Sequence, residues 1–179
     1  MKDLVESLLG DDHQSLAELL SELDSELKKA NAVRAFELLD LFWARLAVHI
    51  RAENLHLFPA IATAAPSLFT GKGSLSTAEE AHSILLQLRS DHDFFMKELA
   101  QMIKAARELR GRDEVPRKDI KELRQRLTEI RKRLETHNIL EEALVYTWPS
   151  LLFDQKLVAA LGDSLRHELE NLPPRFALQ

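Results

Sequence analysis

Apolar residues recur along the chain at steps of three and four, in four long blocks separated by polar breaks. The first block carries Leu16, Leu19, Leu20, Leu23 and Leu27, and the second Phe36, Leu39, Phe42, Leu46 and Ile50. The third carries Leu85, Leu88, Phe95, Leu99, Met102 and Ala106, and the fourth Ile120, Leu123, Leu127, Ile130 and Leu134. That spacing places each set on one stripe of a helix turned toward a core. The breaks fall at residues 29–32, 66–76 and 111–116. Ser76 with Glu79, or Thr77 with Glu80, forms a capping box that opens the third helix, and Pro116 suits the first turn of the fourth. A weaker block over 154–172 predicts a fifth helix, ended by Pro173 and Pro174. The expected architecture is all-α: one domain over residues 1–179, with an antiparallel up-down-up-down four-helix bundle over about 11–152 and an additional C-terminal helix over about 154–172.

Composition narrows the chemistry. Five Gly and six Pro in 179 residues are too few for the turns of a sandwich or barrel. The absence of cysteine excludes disulfides, zinc ribbons, thiol nucleophiles and cysteine-held iron–sulfur clusters. A formal charge of −5 favours neither nucleic acid nor an anionic membrane. Lys and Arg crowd residues 104–133, but Glu108, Asp113, Glu114, Asp119, Glu122 and Glu129 are interleaved, as on a solvated helix face. No apolar stretch approaches a membrane span. The first twelve residues have acids inside their apolar run and lack a signal peptide's layout. A cytoplasmic protein without nucleic-acid or membrane partners is expected.

Several polar residues interrupt the apolar stripes. His13 shares the face of Leu16 and Leu20, His92 sits between Leu88 and Phe95, and His49 and Glu53 extend the stripe of Leu46. In the fourth block Leu134, His137, Glu141 and Leu144 continue one face. Residues four apart differ by about 40° around a helix, so each His-x-x-x-Glu pair points one way. A buried carboxylate without a partner costs several kcal/mol. Two of them among four imidazoles call for a shared counter-charge, which iron, manganese or zinc would supply.

The heights of these residues agree. Antiparallel neighbours share a layer when the midpoint between successive ligands falls in the connecting break. His13 and His49 average to Asn31, His49 and His92 to Thr70 or Gly71, and His92 and His137 to Glu114 or Val115. His82 in place of His92 would lie roughly 12 Å from His137 along the axis. The halves also resemble each other: DDHQSLAELL matches SDHDFFMKEL, and LAVHIRAENLHLFP matches LETHNILEEALVYTWP with a two-residue insertion. A doubled hairpin of this kind builds a pseudo-twofold site for two metals. His56 shares the face of His49 and Glu53 one turn further along; it would either add a further metal ligand or, as the layer spacing favours, lie beyond the metal plane. Asp12 and Asp91 would either orient imidazoles or face solvent, with solvent favoured, and Glu142 is expected to face out. Nothing in the spacing fixes Tyr146 near the site, and His167 carries no sign of a role.

On His13, the run HIRAENLHLFP, Asp91-His92 and HNILEEALVYTWP, the sequence resembles the hemerythrin-like, HHE cation-binding family from about residue 11 to 152. The resemblance implies two iron ions, a non-haem di-iron centre, with His13, His49, His92 and His137 as terminal ligands and Glu53 and Glu141 as bridges. Oxygen-carrying hemerythrins place two histidines on the third helix, four apart. Here the corresponding positions are Leu88 and Met96. That departure implies open metal positions for a small diatomic or peroxide ligand and makes reversible oxygen storage less secure. The implied functions are binding or reaction with dioxygen, nitric oxide or related species, in sensing, scavenging or iron handling. An iron-centre repair protein and a metal-dependent regulatory module are the alternatives, and neither catalysis nor oligomeric state is legible.

Overall fold

The computed structural model describes residues 4–64, 66–69, 77–112 and 114–176, all in helices and connecting turns with no strand among them. Helices α1 (Leu4–Lys28), α2 (Ala32–Ala52), α3 (Phe58–Ala62), α4 (Ala78–Arg110), α5 (Arg117–Ala143), α6 (Trp148–Leu152) and α7 (Gln155–Glu170) follow in order. Residues 29–31 and the described residues of 111–116 connect the helices, whereas much of 66–76 lies outside the described residues, with Ser76, Thr70 and Gly71. Helix α1 reaches back to Leu4 because fully buried Val5 and Leu9 continue the His13 stripe toward the N-terminus. Thr77 and Glu80 form the capping box, each side chain meeting the other's backbone N–H. Pro116 precedes α5 in extended conformation instead of entering its first turn. Among the described residues, no helix is long and apolar enough to cross a membrane.

Helix α1 packs against α2 and α5, and α4 against the same two, closing a four-membered ring. The short connections at 29–31 and 111–116 make sequence neighbours antiparallel, as an up-down-up-down bundle requires. Helix α7, the expected C-terminal helix, lies against α1 and α2. It approaches α1 so closely that a β-carbon at Gly162 would meet the Leu4 side chain.

Apolar side chains gather in two clusters. One, built from Leu16, Phe42, Leu46, Phe95, Leu134 and their neighbours, fills the end bearing the 29–31 and 111–116 turns. The other, with Leu9, Ala52, Phe58, Leu88, Tyr146 and Trp148, fills the opposite end. The first, second and fourth blocks lie in the first cluster and the third spans both, its Leu85 and Leu88 joining the second, with a polar layer between the two. Helix α2 changes pitch in that layer. Residues Glu53–Leu57 form a π turn, with the Phe58 N–H donating to the Glu53 carbonyl, before α3 resumes the α-helix.

Candidate metal centre

Each rod of the bundle sends a histidine into the layer: His13 from α1, His49 from α2, His92 from α4 and His137 from α5. Glu53, at the start of the π turn, and Glu141 of α5 are wholly buried, at 0% exposure. All six side chains meet at one depth, as the stripe spacing and loop midpoints predict. They fall into two groups of atoms close enough to surround a cation: His13, His49 and Glu141, and Glu53, His92, His137 and Glu141.

Each carboxylate turns one oxygen toward each pair of histidines. Glu53 Oε1 lies 3.5 Å from His49 Nε2, and its Oε2 lies 3.2 Å from His92 Nε2. Glu141 Oε2 lies 3.4 Å from His13 Nε2, and its Oε1 lies 3.0 Å from His137 Nε2. Despite these short approaches, Glu53 Oε2 and Glu141 Oε1 receive no hydrogen bond of acceptable geometry. Beside them the Nε2 atoms of His92 and His137 face each other at 3.2 Å. Buried acceptors that lack donors are costly. A cation bound by these lone pairs would satisfy them together, so the donor set fits a metal.

The outward-facing nitrogens are also held. His13 Nδ1 is 2.8 Å from Glu142 Oε1, and His49 Nδ1 is 2.9 Å from Asp12 Oδ2. His137 Nδ1 is 3.3 Å from Asp91 Oδ2, and Asn54 lies 3.3 Å from His92 Nδ1. Each supporting residue is the chain neighbour of an inner one, so it points about 100° around its helix, toward the next rod. The contacts run from α1 to α2, from the π turn to α4, from α4 to α5, and from α5 back to α1. Asp12, Asp91 and Glu142 therefore do not simply face solvent, as their stripe positions suggested. Arg45 holds Asp12 at 2.5 Å, and Arg133 holds Asp91 at 2.6 Å. A carboxylate accepting from Nδ1–H leaves the Nε2 lone pair free for a metal and makes it more basic.

Residues 5–148 match the family model for the hemerythrin HHE cation binding domain. The chain belongs to the hemerythrin family. No curated protein and no solved structure matches it. This hemerythrin is accordingly a metal-binding helical protein.

Its electrostatics show what the layer requires when only protons are present. Burial would depress His49, but Glu53 and Asp12 outweigh it and hold the imidazole well above its ordinary value. Burial likewise opposes the charge on His92, yet Glu141 and Glu53 raise it to about 9. Burial and the like charge of Glu141 would raise Glu53, but His49 and His92 bring it below the usual carboxylate value. Glu141 is held well below that value against burial by His13, His137 and His92. Positive charge is thus demanded inside the layer, and protonated imidazoles provide it where a metal does not.

The remaining histidines lie elsewhere. His82 and His167 are exposed. His56 is turned outward, 3.6 Å from Glu168 of α7. The wider π turn advances the chain by less rotation per residue, so His56 falls off the stripe that an α-helix would have continued. Leu88 is fully buried in the apolar cluster at one end, and Met96 packs against the other. Sequence spacing did not locate Tyr146, whose hydroxyl lies inside the layer, 2.7 Å from Glu53 Oε1. Asp12→Asn or Asp91→Asn is expected to weaken metal binding about 10- to 100-fold while preserving the helices. Competition against a chelator of known affinity measures this, and wild-type affinity in both variants would contradict the supporting role.

Proposed function

We propose that this hemerythrin holds two iron ions in the layer and binds or reacts there with dioxygen, nitric oxide or peroxide. His13 and His49 would serve one ion and His92 and His137 the other, while Glu53 and Glu141 each offer one oxygen to either side. The observation that carries the reading is the division of both carboxylates between the two histidine pairs, with the oxygens beside His92 and His137 left without donors. Manganese and zinc suit the same donors. Iron would supply a redox-active Lewis acid with room for a small molecule.

The protein's own part is to position and to exclude. Phe58 stacks on His92 with ring centroids 5.6 Å apart, and Phe95 meets the His137 ring edge-on at 5.3 Å. These rings fix the imidazole planes, and the apolar clusters above and below keep bulk water from the layer. Asp12, Asp91 and Glu142 hold the outer ring nitrogens, so the inner ones keep their direction. Anaerobic loading with Fe(II), followed by spectra before and after dioxygen or nitric oxide, tests the proposal. Spectral changes that need the bound iron support it, and an iron-loaded protein indifferent to dioxygen, nitric oxide and peroxide would remove it.

Protons compete with the metal. With His92 raised to about 9, loading at neutral pH must expel its proton. The apparent affinity for Zn(II), a redox-inert probe, is expected to rise at least about tenfold per unit between about pH 7 and 9. Both glutamates are lowered and so remain ionised throughout. In the metal-free protein the sign reverses: charged His92 contributes stability below its ordinary 6.5, and that contribution is lost as pH rises through about 9. Titration calorimetry in buffers of different ionisation enthalpy reads the proton count, and a pH-independent affinity would contradict it.

A further inference from the structure

We infer that Tyr146 is a seventh protein donor to the metal pair, its phenolic oxygen joining the His13–His49 half; this rests on the metal reading above. The hydroxyl lies 3.0 Å from His13 Nε2, 3.3 Å from His49 Nε2, 2.7 Å from Glu53 Oε1 and 3.2 Å from Glu141 Oε2. Two imidazole nitrogens and two carboxylate oxygens therefore crowd around one phenolic hydroxyl. The Nδ1 atoms of His13 and His49 are taken up by Glu142 and Asp12, so the Nε2 atoms are the ones that face the phenol. One hydrogen cannot serve them all. A cation can, with the phenolic oxygen as one of its donors.

The backbone puts the phenol there. Five residues beyond Glu141, a continuing α-helix would turn Tyr146 about 140° away from that carboxylate. Instead α5 stops at Ala143, Leu144 leaves helical geometry, and the 3-10 turn Val145–Thr147 folds the side chain back over Glu141. Tyr146 is 1% exposed and sits in the apolar cluster with Val145 and Trp148. In the matching half of the sequence the aromatic-Pro pair is Phe58-Pro59, and the residue two before it is His56, which faces outward to α7. The two halves are therefore inequivalent. Only the His13–His49 side has a phenol, and only the His92–His137 side has carboxylate oxygens without hydrogen bonds.

On loading, the phenol O–H bond breaks, an oxygen–metal bond forms and the proton leaves to the buffer. The added anionic donor favours the ferric state and makes the two metal positions electronically distinct. Tyr146 is the only tyrosine in the chain, which makes the test direct. The protein is loaded anaerobically with Fe(II), oxidised, and studied by visible absorption and resonance Raman spectroscopy. A phenolate-to-iron(III) charge-transfer band with enhanced tyrosine ring modes is expected, and both should vanish in Tyr146→Phe while about one iron or more per chain remains. The Raman measurement on the wild type needs no variant and stands even if Tyr146→Phe misfolds. Iron-loaded wild type without tyrosine modes, or a variant with the unchanged band, overturns the inference. Wild type that takes up no iron overturns the underlying metal reading and this inference together, and metal analysis separates that case from the others.

Discussion

Glu141→Gln is expected to leave the helices in place and to reduce metal content from about two ions per chain to fewer than one. Among the described residues, Glu141 alone is shared by both groups of potential ligands. Its oxygens reach His13 on one side and His137 on the other. Glutamine keeps the shape but removes the anion and puts an N–H₂ where one acceptor stood, so it cannot serve both groups. The neighbouring substitution Glu142→Gln is an internal comparison. Glu142 is 45% exposed and touches the layer only through His13 Nδ1, so about tenfold weaker binding is expected there. Metal analysis after anaerobic loading, with far-UV circular dichroism as the check on folding, measures both. Two ions bound by Glu141→Gln would show that the carboxylate does not join the two halves.

The second large effect concerns stability. Phe42→Ala is expected to destabilise the metal-free protein by about 3–5 kcal/mol. The side chain is completely buried in the middle of α2, within the apolar cluster that includes Leu16, Leu46, Phe95 and Leu134. Truncation loses its transfer from water and leaves a cavity that four packed rods cannot collapse to fill. Against a typical total of about 5–15 kcal/mol, the loss is a large fraction. Urea denaturation with an unchanged slope and a much lower midpoint is expected; a shift worth less than about 1 kcal/mol would contradict the packing account.

The bundle was legible because each of its main determinants lies within one helix. Stripes of leucine and phenylalanine mark the inner faces, and the midpoint rule places His13, His49, His92 and His137 at one depth. What escaped sequence reasoning depends on contacts between rods or on changes of helical pitch. Asp12 lies beside His13 in the chain but supports His49 on the next helix, and Asp91 supports His137 in the same way. Spacing within one helix gives the direction of a side chain, not the identity of the group across the gap. His56 was carried outward by the π turn, and Tyr146 was carried inward by the break in α5. The two-residue insertion separating the matching halves signals that local irregularity, though it does not give its direction.

The mass of the intact protein under native conditions, after anaerobic Fe(II) loading and removal of free metal, tests the central claim most directly. Two iron ions per wild-type chain are expected. A wild-type chain that remains metal-free while folded would contradict it, since the buried glutamates would then be balanced by protonated histidines alone.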